Sequence, residues 1–290
     1  MIPIDTERFK LNRILLLAIG LWPYEQSLLA RIQFASFFAI LIAFIVFQIT
    51  ALWTPECTLD CAIKIVSCAL FCTVSVIKYN SFKVNSSTVK YLLEHLKYIC
   101  DGLRDKNEID IMKHYGNNAT QYTARIMLVT LVCLCVVMLL PILPLLLDIV
   151  LPMNESRSRF AMPIVTCYFI NQEKYAYLIL LHTMVASCIG AIAIIGPGTL
   201  MITYLKHTCG MFNIVSYRIQ QAMSSKKSKK FSLENKNAIC KSIAYGVDIH
   251  RTAMELIFQY GHSTYRTKPI FYTYGYKSSC FLKICDIFYI

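Results

Sequence analysis

Residues 32–52, 126–147 and 175–204 contain no Asp, Glu, Lys or Arg. A helix rises about 1.5 Å per residue, so each stretch is long enough to cross a hydrocarbon core of roughly 30 Å. A chain built this way cannot hide its apolar surface in a water-soluble globule. The composition agrees: 56% of the 290 residues are hydrophobic and the mean hydropathy is +0.51, where an ordinary soluble domain is about 45–50% apolar. The expected fold class is all-α, a polytopic transmembrane helical bundle.

A further candidate span is less obvious, because only residues 65–77 are free of charge between Lys64 and Lys78. It reads as a span over about residues 62–82 if Lys64 snorkels to one interface while Tyr79 and Phe82 sit at the other. The loops support it. Residues 1–31 carry four Lys and Arg, 53–61 none, 78–125 eight, 148–174 three and 205–241 eight. Cytoplasmic loops are the basic ones, so this alternation places the N-terminus and both strongly basic segments inside, and residues 53–61 and 148–174 outside. Omitting the second span would put a poor and a rich loop on the same side. The net charge of +12 follows from the same bias and calls for no nucleic-acid partner.

Arg8, Lys10 and Arg13 precede the apolar residues 14–22, as in a signal peptide. No small-residue cleavage pattern follows, so a short interfacial helix is expected, with Trp22 and Tyr24 at the headgroup level. Of the sequons, Asn154 falls in an outer loop, whereas Asn85 and Asn118 fall in an inner one. Most of the thirteen cysteines, including Cys68, Cys72, Cys133, Cys135 and Cys188, lie in apolar stretches and read as packing residues. Cys57, Cys61 and Cys167 share the outer loops, where their pairing is open.

Gly196-Pro197-Gly198 interrupts the last span, and a kink or short unwound piece is expected there: simple bending against neighbours, or a flexible point coupling an outer ligand to the inner segment. His182 is the titratable side chain of that span, either facing a cavity or bonded to a neighbouring helix. The basic run Lys226, Lys227, Lys229 and Lys230 suits anionic lipid or a solvated loop. No catalytic constellation, phosphate loop, metal-ligand spacing or cofactor motif is present; His250 and Glu255, five apart, fall on different helix faces. No enzyme activity, cofactor or metal is expected.

Two segments carry a resemblance. Leu11-Asn12-Arg13 followed by Gly20-Leu21-Trp22-Pro23-Tyr24 is similar to the approach to the first membrane helix in insect odorant receptors. Gly196 and Thr199, then His207-Thr208-Cys209-Gly210-Met211-Phe212 and Tyr217-Arg218, resemble the family's passage from the fourth helix into the cytoplasm. Residues 248–256 resemble the segment leading to its fifth helix, and the likeness covers residues 8–259. It implies an inverted seven-helix receptor in the plasma membrane of a sensory neuron dendrite. It also implies a co-receptor subunit with which the receptor forms an odorant-gated cation channel. Small volatiles then bind in the outer halves of the helices, which here offer Cys68, Met138, Tyr175, Tyr177, His182 and Met184. A mostly apolar pocket with a few polar groups suits such ligands. Interhelical packing is the alternative role for each.

Four spans of the expected seven are visible, within residues 1–259. Residues 260–290, broken by Lys277, Lys283 and Asp286, match no further helix, and the sequence reads as C-terminally truncated through an incomplete gene model, an unspliced intron or a decayed gene; the pore-lining last helix that the resemblance implies is not expected in it, nor is ion conduction by this chain alone. A gustatory-type chemoreceptor, a polytopic enzyme of lipid metabolism using His250 and Glu255, and a non-conducting partner of intact receptors are the competing readings.

Overall fold

The computed structural model describes residues 9–53, 58–140 and 175–224, together with residues 244, 247, 251 and 254. Its elements are helices: α1 (Lys10–Ala18), α2 (Leu28–Ala51), α3 (Leu59–Val84), α4 (Ser86–Asp101), α5 (Lys106–Leu139) and α6 (Ala176–Ser224). Among the described residues α2, α3, α5 and α6 are long and apolar enough to cross a membrane. They are the four expected spans, including the one flanked by Lys64 and Lys78.

Local chemistry sets the boundaries. Ser27 caps α2 by accepting from the Ala30 N–H at 3.2 Å, and Thr58 caps α3 by accepting from the Cys61 N–H at 3.3 Å. Each satisfies an amide that the first helical turn leaves without a partner. Asn85 ends α3, its side-chain amide donating to the Ser81 carbonyl at 3.0 Å.

Three expectations change. The N-terminal helix covers Lys10–Ala18, so it begins before the apolar residues 14–22 and stops short of Trp22, which is buried in the fold. No unwound piece occurs at Gly196-Pro197-Gly198, since α6 runs on through Pro197. Helices α5 and α6 also outrun their apolar stretches. At 34 and 49 residues they are about 51 and 74 Å long, well beyond a bilayer core.

The chain divides into two compact units, Met1–Tyr91 with Thr120–Ile202 and Leu92–Ala119 with Thr203–Ile290. In the first, α2, α3 and α6 interleave in successive layers. Leu41 packs with Val76 and Ile189, and one turn along each helix Phe44 packs with Cys72 and Ala186. The apolar part of α5 carries exposed Leu128, Val129, Leu131, Val132 and Val136, as a helix facing lipid or another chain does. The second unit pairs the start of α5 with the end of α6, and buries Leu92, Leu93, Leu96 and Ile99 of α4.

Candidate functional site

Along α2 the buried positions are Leu41, Phe44, Gln48 and Ala51 after an initial Ala30, the three-and-four spacing of one helix face. Its third layer is polar where the two before it are apolar. There the Gln48 side-chain amide donates to Cys68 Sγ of α3 at 2.9 Å, and Gln48 is 0% exposed. The Oε1 end of the same amide is buried without a hydrogen-bond partner among the described residues. Such an oxygen costs about 1–3 kcal/mol if left unsatisfied. From α6 the His182 ring meets Phe44 and Phe47 edge-on, with centroids 5.7 and 6.2 Å away. The ring is also hydrogen-bonded to the Ile40 backbone. Cys68 and His182, two of the expected contacts, thus belong to one neighbourhood around Phe44.

The other expected contacts differ in exposure. Tyr177 is 69% exposed and Tyr175 is exposed as well, while Met138 and Met184 are half-buried. Gln48 was absent from the expected set, because a lone Gln in an apolar stretch gives no sign of the face it occupies; its spacing from Leu41 and Phe44 was the available signal.

The N-terminal motif forms a locked turn in the same unit. Gly20 adopts φ +68°, a left-handed conformation natural to glycine, and a Cβ there would lie 2.9 Å from the Ala30 carbonyl oxygen. The Tyr79 hydroxyl donates to the Ile19 carbonyl at 2.7 Å, and Gln33 donates to the Ala18 carbonyl at 2.8 Å. Leu21, Trp22 and Pro23 are buried, with Tyr24 beside Trp22 at 5.7 Å. A Cβ on Gly196 would stand 3.2 Å from the Leu16 side chain of α1.

In the second unit the α6 motif faces the start of α5. Buried His207 sets its Nδ1 3.3 Å from Met112 Sδ, and its ring lies where a Cβ on Gly116 would come within 3.1 Å. Gly210 admits the Tyr115 side chain at 3.2 Å from where its Cβ would be, and Met211 is buried between half-buried Cys209 and Phe212. Arg218 grips buried Glu108 in a two-pronged ion pair, through Nε to Oε1 and through Nη2 to Oε2 at 2.8 Å. Asn107 donates to the Tyr217 hydroxyl at 2.7 Å. The motif is a helix–helix seam, and α5 supplies the half of it that the sequence did not flag.

A family profile described as "7tm Odorant receptor" matches residues 58–262. The chain belongs to the seven-transmembrane odorant receptor family. The fold agrees with solved odorant receptors. The insect olfactory receptor OR5 from Machilis hrabei superposes with a TM-score of 0.60 at 15% identity, covering 89% of this chain and 67% of that one. The same receptor in complex with eugenol gives 0.57 at 16% identity, covering 92% and 73%. No curated protein matches the chain.

Among the described residues no group of three or more His, Cys, Asp or Glu is placed to hold a metal ion. His250 with Glu255, the lysines at 226, 227, 229 and 230, Cys57 and Cys167, Asn154, and the residues after 259 all lie outside the described residues. In this odorant receptor the sequon residue Asn118 is inside α5, its amide 3.2 Å from His114 Nε2.

Proposed function

We propose that this chain binds small, mostly apolar volatile molecules in the outer part of its first unit and signals as an odorant-gated cation channel together with a co-receptor subunit. The observation that carries the reading is the third layer of α2, α3 and α6. There one face that is otherwise aliphatic and aromatic gathers Gln48, Cys68 and His182. A few polar groups within apolar walls are what orients a small ligand. A receptor of similar fold is solved in complex with eugenol, which supports a small organic ligand. Cys68 and His182 are the assigned contacts, with Met138, Tyr175, Tyr177 and Met184 the outlying ones.

The charge alternation supports a bundle with its N-terminus in the cytoplasm, and membership of the family supports a multi-pass plasma-membrane protein in the dendrite of a sensory neuron. Lipid surrounds the spans, and neither nucleic acid nor a cofactor enters the account. In cells expressing the full chain with the co-receptor, a volatile evokes a cation current, and His182→Ala shifts its concentration dependence by about tenfold or abolishes it. A current whose dependence is unchanged by His182→Ala, or no current from any volatile, contradicts the proposal.

A further inference from the structure

The amide of Gln48 has two ends in unlike circumstances. Its N–H reaches Cys68 Sγ at 2.9 Å, a soft and weak acceptor. Its oxygen is buried without a hydrogen-bond partner among the described residues, on a stripe whose other members, Leu41, Phe44 and Ala51, have no polar side chain. Buried oxygens are nearly always satisfied by protein, water or ligand. The neighbouring His182 ring is occupied at the Ile40 backbone. Phe44 and Phe47 present aromatic walls beside it, and Phe47, Cys68 and His182 are only half-buried.

Resting on the reading of this unit as a ligand receptor, we infer that Gln48 sets ligand specificity. Its Oε1 accepts the O–H of a small alcohol or phenol whose hydrocarbon part lies against Phe44 and Phe47. No bond is made or broken; the ligand hydroxyl supplies the donor that the protein lacks. The class excluded from this preference is the ether of the same composition, which fills the same volume but carries no donor.

Isomer pairs test the assignment without changing ligand size: para-ethylphenol against para-methylanisole, and hexanol against methyl pentyl ether. Binding is measured on the purified full chain in lipid nanodiscs. The hydroxyl isomer is expected to bind about five- to tenfold more tightly, the yield of one neutral hydrogen bond. Gln48→Met, apolar and of similar length, brings the ratio close to one.

If none of the four compounds binds, the assignment to alcohols and phenols falls, and the receptor reading stands or falls on whether any other volatile binds. If both isomers of each pair bind equally to the wild-type chain, that reading stands and the role of Gln48 falls. Preference for the ethers would mean that the amide offers its N–H, which also overturns the assignment. Should Gln48→Met not fold, the wild-type ratio still decides against the assignment if it is one.

Discussion

Arg218 and Glu108 form an asymmetric pair, and the asymmetry has a measurable consequence. The carboxylate side chain is 7% exposed and the guanidinium 38%. Arg218→Ala therefore strands a buried charge, whereas Glu108→Ala leaves a cation that water can reach. Removing the arginine is expected to cost about 2–3 kcal/mol and removing the glutamate about 1 kcal/mol, with the double variant close to the glutamate variant alone. Denaturant titration of the four proteins in detergent checks this, and equal costs for the two single variants would contradict it. The two residues were not equally legible. Arg218 stands in a motif, while Glu108 sits among Asp105, Lys106 and Asp110 and reads as surface charge. Its burial depends on a residue 110 positions away, which no local pattern encodes. Gln48 was hidden for the same reason, being one polar letter in a run whose inward face only helix packing defines.

Helix α6 tests how a membrane element tolerates a breaker. Proline at position 197 supplies no N–H to the carbonyl of Ala193, and in a helix interior such a loss costs about 3 kcal/mol. The helix nevertheless continues. Thr199 lies just beyond, the single hydrogen of its hydroxyl shared between the Ile195 and Gly196 carbonyls at 2.9 and 3.1 Å, neither of which is the carbonyl that the proline frees. Pro197→Ala is accordingly expected to raise the melting temperature, by the equivalent of up to about 3 kcal/mol. A lowered melting temperature would show that the proline is required for packing. At this scale the spans themselves were legible, because twenty apolar residues without charge leave few alternatives. The added lengths of α5 and α6 and the whole of α4 were not, since a polar helical extension has no hydropathy signal and is fixed by its packing, here His207 on Met112 and Tyr115 on Gly210.

The two units divide the labour in this account. Ligand chemistry is assigned to the layered spans of the first, and the α5–α6 seam with its ion pair belongs to the second. A volatile that binds the native chain raises its melting temperature by mass action. That separates a residue that touches ligand from one that holds the fold. The decisive measurement is the thermal stability of the purified full chain in lipid nanodiscs across a panel of apolar volatiles. At least one compound is expected to raise the melting temperature in proportion to the logarithm of its concentration. His182→Leu is predicted to abolish that rise, and Arg218→Ala to retain it from a lower starting temperature. No shift with any volatile, or a shift lost with Arg218→Ala and kept with His182→Leu, would contradict it.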